Sequence, residues 1–314
     1  MQRMSQFEPR ASSDAVARPL HVVLSVDPTP HTLAAARFVR DLLLPQGSLV
    51  TALAVDDPDR SVNLGATLKA LDRVVSIMDY NHIEVMTSLM EGHEAELLLT
   101  FSRRLAADLL MVSANGLHNR FGIFLGGPAQ RLVNAAHCPV LIARAPYVRL
   151  RHVLVVSDFT WTSLNAARYL AEMPLPPNTR YTVMYVQSHE DGALDLLGRT
   201  RYQNGAGARS GEPDVEVELR ATEQCVSAVV PSYPTEVLRA AGRCVTSIVV
   251  QGDSVAEVIH YAQTHGVDLI VTGANAQGTA GSWFTGDATR RLVHNAYCSV
   301  LVVKRAPSKV CGEC

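Results

Sequence analysis

The chain has 314 residues, of which 47% are hydrophobic and 18% charged, so it is long enough for about two packed domains and too apolar to be disordered. Its net charge of −2 gives no electrostatic case for a nucleic-acid partner, which usually requires a basic domain. No apolar run approaches the roughly 20 residues that a membrane-spanning helix needs, which argues against a membrane protein.

The beginning of the chain and its cysteines indicate where the protein works. Residues 1–19 are polar, lack the hydrophobic stretch of a secretory signal and are predicted to be a disordered tail. Six cysteines in a chain of this length do not make the dense framework of a disulfide-stabilised secreted domain. We therefore expect a soluble protein of the cytoplasm.

In the first half of the chain, short apolar strands alternate with helical segments. The first strand, HVVLSVD, ends at Asp27, and apolar residues at helical spacing follow it as far as Pro45. Further strands are predicted at 48–55, 83–90, 108–114 and 139–143, and further helices near 94–106 and 127–136. Strands separated by helices indicate βαβ units, in which the strands run parallel.

The second half of the chain repeats this order of elements. The strand HVLVVSD ends at Asp158, and the helix after it stops at Pro174. Strands follow at 181–186, 245–250, 268–274 and 299–303, and helices near 254–264 and 287–296. Residues 25–39 match 156–170 at an offset of 131, and residues 126–141 match 286–301 at an offset of 160. An internal repeat of this length indicates two domains of one architecture.

The repeat divides the chain and locates an insertion. We predict domains at 20–147 (copy one) and 150–306 (copy two), followed by a tail at 307–314. The offset between the copies grows from 131 at Val186 to 160 at Gly252, so copy two carries an insertion, which we place at about 190–244. Because βαβ crossovers are right-handed, each copy is predicted to be a doubly wound, Rossmann-like α/β domain, with a mainly parallel five-stranded sheet and helices on both faces.

Ligands of doubly wound sheets bind beyond the carboxyl ends of the strands, where the strand order reverses. The residues expected there are Asp27 and Asp158 after the first strands, Val55 and Val186 at the ends of the second strands, and two Gly-rich loops at 113–127 and 273–287. Each loop runs into the start of a helix, where free backbone N–H groups and the positive end of the helix dipole favour a phosphate group.

Several ordered motifs occur once in each copy. They are the aspartate after the first strand, the turns at Gly92 and Gly252, the segments ADLLMVSANG and VDLIVTGANA, and the closing segments HCPVLIARAP and YCSVLVVKRAP. Through these motifs, residues 20–305 resemble a tandem universal stress protein with two UspA-like domains. The resemblance implies an adenine nucleotide alpha hydrolase-like fold, a role in the stress response, and pairing of the last strands of two domains, here 139–143 with 299–303. It also favours a homodimer.

Members of that family that bind nucleotides carry the motif G-x2-G-x9-G followed by Ser or Thr. The resemblance implies that the glycine backbone and the hydroxyl hold the phosphates of ATP, while the aspartate after the first strand contacts the adenosine part. The corresponding residues of copy one are Ser113, Gly116, Gly126 and Gly127. The spacing is intact, but the first glycine is a serine and the hydroxyl residue is a glycine. Pro128 also removes one N–H donor from the helix start.

Copy two departs from the motif at other positions. Its corresponding residues are Gly273, Ala276, Gly286 and Asp287. The second glycine is thus an alanine, and a carboxylate, which repels phosphate unless a cation bridges them, replaces the hydroxyl. Asp287 is equally suited to cap the following helix. Each copy has therefore kept the scaffold and lost part of the phosphate contacts.

Other candidate residues have structural explanations. Asp27 and Asp158 are also able to accept hydrogen bonds from backbone N–H groups of the following turn. Cys138 and Cys298, at matched positions before the last strands, are interpreted as small core residues, and the terminal CGEC at 311–314 as a frayed end. No metal-binding set and no catalytic motif can be assembled, which favours a binding protein over an enzyme.

The sequence leaves three functions open. The first is a stress-response protein that acts by binding and assembly rather than by catalysis. The second is a regulator that binds ATP or AMP in copy one, with or without slow ATP hydrolysis. The third is a small-molecule or lipid sensor that uses the cleft of copy two.

Overall fold

The computed structural model describes residues 18–58, 63–79, 83–114, 128–157, 161–187, 232–274 and 286–304. Copy one contains β1 (His21–Val26), α1 (Pro30–Asp41), β2 (Leu49–Asp56), α2 (Leu64–Met78), β3 (Glu84–Glu91), α3 (Glu94–Arg104), β4 (Leu109–Ser113), α4 (Pro128–Ala135) and β5 (Val140–Ala143). Copy two contains β6 (His152–Ser157), α5 (Trp161–Glu172), β7 (Arg180–Gln187), α6 (Ser232–Ala240), β8 (Val245–Gln251), α7 (Ser254–Thr264), β9 (Leu269–Ala274), α8 (Gly286–Asn295) and β10 (Ser299–Lys304). None of these helices is long and apolar enough to cross a membrane.

The strands form one ten-stranded sheet, in the order β3-β2-β1-β4-β5-β10-β9-β6-β7-β8. Within each copy all neighbouring strands are parallel, and the first strand of the copy lies in the middle of its five. The strand order therefore reverses beside β1 and beside β6. This confirms the doubly wound, mainly parallel five-stranded sheet that the sequence predicts for each copy.

The two copies meet at their last strands. β5 and β10 pair antiparallel, with Leu141 opposite Leu301 and Val140 opposite Val302. This is the pairing that the resemblance implies between 139–143 and 299–303. It gives each copy a neighbour for a strand that would otherwise expose unpaired backbone groups.

Apolar side chains cover both faces of the sheet and form two cores, each of which continues through both copies. Helices α1, α2, α5 and α6 pack on one face, and α3, α4, α7 and α8 on the other. Alternate residues of the paired last strands pack in the two cores. Leu141 and Leu301 lie in the first core, on the face of α1 and α5, and Val140 and Val300 lie in the second core, on the opposite face. Burial on both faces explains why inner strands such as β4, β5, β6 and β9 read as continuous apolar runs.

Local sequence signals determine where several elements begin and end. Gly92 and Gly252, which follow β3 and β8, have φ angles of 139° and 152°, a region that residues with a Cβ rarely adopt. The side chains of Asn63 and Asp253 accept hydrogen bonds from backbone N–H groups of the first turns of α2 and α7. They therefore satisfy donors that have no partner within these helices.

Helices α2 and α6 are not among those that the sequence predicts. α6 packs against α5 as α2 packs against α1, and it buries Leu238 completely. Residues 232–240 lie inside the proposed insertion of 190–244, but they belong to the architecture that both copies share. The insertion itself stays a prediction, because most of 190–244 lies outside the described residues; the offsets require only 29 additional residues between Val186 and Gly252, which leaves room for α6.

Candidate functional site

Three residues of the predicted site lie at the carboxyl ends of neighbouring strands of copy one. Asp27 follows β1, Val55 lies near the end of β2, and Ser113 is the last residue of β4. Because β1 lies between β2 and β4, these ends meet at one edge of the sheet, where the strand order reverses. The remaining predicted residues of this copy, Gly116, Gly126 and Gly127, lie outside the described residues.

The carboxylate of Asp27 accepts hydrogen bonds from hydroxyl groups of the protein. Its Oδ2 accepts from Ser113 Oγ, which joins the ends of β1 and β4. Its Oδ1 accepts from Thr29 Oγ1 at 2.5 Å, from Thr29 N at 3.0 Å and from Thr32 Oγ1 at 2.6 Å. Thr29 precedes α1 and Thr32 lies in its first turn, so the carboxylate also ties the start of this helix to the sheet.

These hydrogen bonds keep Asp27 ionised at neutral pH. Burial raises the pKa of its carboxyl group, but the hydrogen bonds from Ser113, Thr29 and Thr32 favour the charged form and hold the pKa below its ordinary value. A half-buried, ionised carboxylate that receives hydroxyl groups is chemically suited to the hydroxyl groups of a sugar.

A second polar cluster lies beside the ends of β1 and β2 and is not predicted from the sequence. Ser25 Oγ donates to Glu94 Oε1 at 2.9 Å, and Asp57 Oδ2 accepts from the backbone N–H of Glu94 at 3.1 Å. His93 Nδ1 lies 3.7 Å from Asp57 Oδ1. Asp57 thus caps the start of α3 from another part of the chain. The helix start near residue 94 is recognisable in the sequence, but this cap is not, since 37 residues separate the two partners.

Copy two is built differently at the corresponding place. Gly273 takes the position that Ser113 has in copy one, and a Cβ on Gly273 would lie 2.4 Å from the carbonyl carbon and oxygen of Thr162. Helix α5 therefore packs directly on the end of β9, and no side chain fits between them. Of the other predicted residues, Val186 is buried in β7 and Gly286 is the first residue of α8. Asp158 lies outside the described residues.

Four buried hydroxyl groups of copy two have no hydrogen-bond partner among the described residues, and two of the four lie close in sequence to predicted site residues. These two belong to Ser157, the last residue of β6, and to Thr289 near the start of α8, and each residue is 2% exposed. Copy one has the apolar residues Val26 and Ala129 at the corresponding positions. Because a buried polar group without a partner is costly, a polar molecule or water that reached either hydroxyl would stabilise this copy.

The matched cysteines of the two copies are buried thiols that are hard to ionise. Cys138 and Cys298 are buried in the second core, and desolvation raises the pKa of both thiols to about 12. They remain protonated at neutral pH, which confirms their interpretation as small core residues. The cysteines of the terminal CGEC lie outside the described residues.

The universal stress protein family model matches the chain twice, at residues 20–144 and 149–304. A universal stress protein of Methanocaldococcus jannaschii is 31% identical over 78 residues, which cover 25% of this chain and only 46% of that relative's length. A solved universal stress protein from Archaeoglobus fulgidus has 15% sequence identity and a TM-score of 0.61, with 91% of this chain and 96% of that chain covered. A functionally unknown protein from Pseudomonas aeruginosa has 12% identity and a TM-score of 0.57, with 94% and 95% covered. At these identities the structural likeness concerns the fold.

Proposed function

Because the chain belongs to the universal stress protein family, we propose that it acts in the stress response by binding and assembly rather than by catalysis. The observation that carries the proposal is the antiparallel pairing of β5 with β10, which assembles one sheet from two copies. The site of copy one supports it as well. A carboxylate whose pKa lies below the ordinary value, and which already accepts several hydrogen bonds, is a weak general base. We place this function in the cytoplasm and expect the chain to form a homodimer.

Turnover and mass measurements test this proposal. We expect the full chain to release no phosphate from millimolar ATP above the rate of the buffer, and light scattering after size exclusion to give the mass of a dimer. Steady phosphate release that Asp27→Asn abolishes would make the protein an enzyme and contradict the proposal.

The second candidate is an adenine-nucleotide regulator that binds ATP or AMP in copy one. Asp27 and Ser113 favour it, because the carboxylate already receives hydroxyl groups of the kind that a ribose offers. In this proposal Asp27 contacts the sugar, Val55 lies against the base, and the backbone of Gly116, Gly126 and Gly127 holds the phosphates at the start of α4. The corresponding Asp158, Val186, Gly273 and Gly286 of copy two are proposed to bind more weakly, since Gly273 lies against the backbone of Thr162.

A matched pair of variants tests this second candidate. Wild-type protein should carry ATP or AMP through gentle purification, visible by mass spectrometry after denaturation, and should melt at higher temperature in millimolar nucleotide. Asp27→Asn should lose both signals, whereas Asp158→Asn, the same change in copy two, should keep them. Absence of nucleotide together with no thermal shift would exclude the candidate.

The third candidate, a sensor in copy two, is favoured by the hydroxyl of Ser157 at the end of β6, which has no hydrogen-bond partner in the described part of the chain and suits a small polar molecule better than a lipid. The variant Ser157→Val introduces the residue of copy one, Val26. If a molecule binds there, native mass spectrometry should show an added mass on the wild type that the variant lacks. A wild type without added mass, and a variant that is more stable, would exclude the sensor.

A further inference from the structure

The two outer strands of the ten-stranded sheet, β3 and β8, each have a neighbour on one side only among the described strands. An open strand edge pairs readily with the edge of another chain. The last strands, through which the family resemblance implies that domains meet, already pair with each other inside this chain. A second copy of the chain therefore has to use another surface, and the two outer strands are the open edges of the described sheet.

Exposed apolar side chains are concentrated around the outer strand of copy one. Of the nine large apolar side chains that are exposed in the described part of the chain, five lie in α2 or β3, with exposed fractions between 36% and 53%. They are Leu64, Leu68 and Val75 of α2, and Met86 and Leu89 of β3. The three residues of α2 are four and seven positions apart, so they form a stripe along one flank of the helix. In copy two, the described residues of α6 and β8 include one such side chain, Tyr233.

The backbone of β3 is oriented to accept a further strand. The N–H of Gly92, directly after β3, donates to the carbonyl of Asp56 in β2 at 3.0 Å. Since the backbone groups of successive strand residues point to opposite sides, those of Thr87 and Leu89 are directed away from β2 and out of the sheet. The strand also contains no lysine, arginine or proline, which often protect an open edge from pairing.

We propose that β3 and α2 form the interface of a homodimer, in which a second copy of the chain adds its own β3 antiparallel to the first. This inference rests on the homodimer proposed above and gives it a surface. A twofold axis perpendicular to the sheet keeps each face on its own side, so a residue of one face meets residues of the same face. Glu84 and Glu91, the only charged residues of β3, lie on opposite faces, so the symmetry prevents Glu84 from lying opposite the partner's Glu91.

The register centred on Ser88 brings apolar side chains together on both faces. It places Thr87 opposite the partner's Leu89 on the face that α2 covers, and Met86 opposite the partner's Met90 on the other face. Strands β5 and β10 already pair antiparallel in this way within the chain. The same axis places the apolar stripe of α2 beside that of the partner. A helix of 15 residues and a strand of 8 together match the roughly 20–30 residues on each side of a stable interface.

Lysines introduced into this surface test the proposal. Light scattering after size exclusion at micromolar concentration should give the mass of a dimer for the full wild-type chain. The double variant Leu68→Lys, Leu89→Lys should dimerise at least about 100-fold more weakly, because two amines would lose solvent at the interface. Both leucines are exposed in the single chain, at 44% and 41%, so the circular dichroism should not change. The control Tyr233→Lys, at the opposite edge, should remain a dimer.

The outcomes separate this surface from the homodimer itself. A wild-type chain that is a monomer would overturn both proposals. A dimer that persists in the double variant, or one that Tyr233→Lys dissociates, would overturn the surface at β3 and α2 and leave the homodimer in place.

Cysteine cross-linking tests the register independently. The two copies of residue 88 would face each other with Cα atoms about 4.5 Å apart, within the range of a disulfide, whereas the two copies of residue 87 would be about 7–8 Å apart. Mild oxidation of Ser88→Cys should therefore give at least about tenfold more covalent dimer on a non-reducing gel than Thr87→Cys. The wild type, which controls for the native cysteines, should give none. Equal yields from the two variants, or no covalent dimer from Ser88→Cys, would overturn this pairing of β3.

Discussion

His137 and Tyr297 occupy equivalent positions in the two copies, but they differ in their hydrogen bonds to the neighbouring backbone carbonyls. The hydroxyl of Tyr297 donates to the carbonyl of Val267 at 2.9 Å and lies within hydrogen-bond distance of the carbonyl of Ala262, at the C-terminal end of α7. Both ring nitrogens of His137 are buried and have no hydrogen-bond partner among the residues that the structure describes. The histidine therefore leaves copy one with a polar ring that is desolvated without compensation.

The variant His137→Tyr should stabilise the protein. Ser102 and Ala107 are the counterparts of Ala262 and Val267, so the new hydroxyl would find two carbonyls in the same arrangement. We expect a gain of about 1 kcal/mol in the free energy of unfolding, seen as a rise of about 2 °C in Tm by differential scanning fluorimetry. The matched control, Tyr297→Phe, should lose a similar amount. A lower Tm for His137→Tyr would contradict the equivalence.

The same histidine makes stability depend on pH. Desolvation, and then the charge of Arg103, lower the pKa of His137 below 6.5. The unfolded chain then binds a proton more readily than the folded protein, so stability is lost as the pH falls below about 6.5. The Tm of the wild type should decrease between about pH 7 and about pH 5, and that of His137→Tyr should decrease less. His152, whose pKa is also lowered by burial, contributes equally in both proteins. Identical slopes would show that His137 does not titrate in this way.

At the scale of elements, the inner strands are predictable because burial on both faces turns them into apolar runs, whereas the edge strands β3 and β8 are only partly buried. The helices are less predictable. Helix α2 has 15 residues and its counterpart α6 has 9, so a comparison of the two copies does not identify either helix. The candidate site, too, is predictable from the sequence only in part. Asp27 and Ser113 are recognisable as residues at strand ends, but their contact depends on the pairing of β1 with β4 across 86 residues of sequence.

The packing of α5 on β9 gives a prediction for Gly273. The change Gly273→Ser introduces the residue of copy one, but its Cβ would lie 2.4 Å from the Thr162 backbone, so α5 has to move. We expect a loss of about 1–3 kcal/mol, measured by urea unfolding. Ser113→Ala, which removes one hydrogen bond and adds no atoms, should cost about 1 kcal/mol. If Gly273→Ser is as stable as the wild type, α5 does not lie against this strand.

At the scale of the whole molecule, contacts across the junction join the copies into one body. The backbone N–H of Leu43 donates to the carbonyl of Pro174 at 2.7 Å, and the hydroxyl of Tyr169 donates to the carbonyl of Asp108 at 3.0 Å. The pairing of β5 with β10 follows from the family resemblance. The contacts of Leu43 and Tyr169 do not follow from that resemblance, because they depend on how α1 and α5 lie beside each other after the strands have paired.

Because both cores run through both copies, the chain should unfold as one cooperative unit. Scanning calorimetry should show a single transition whose calorimetric and van't Hoff enthalpies agree. Leu141→Ala in β5 and Leu301→Ala in β10 remove side chains that face each other and are completely buried, so each should cost about 2–5 kcal/mol. Since each leucine belongs to a core that both copies share, either change should lower the whole transition by a similar amount. Two separate transitions, of which each variant shifts only one, would mean that the copies fold independently and that the strand pairing contributes little to their stability.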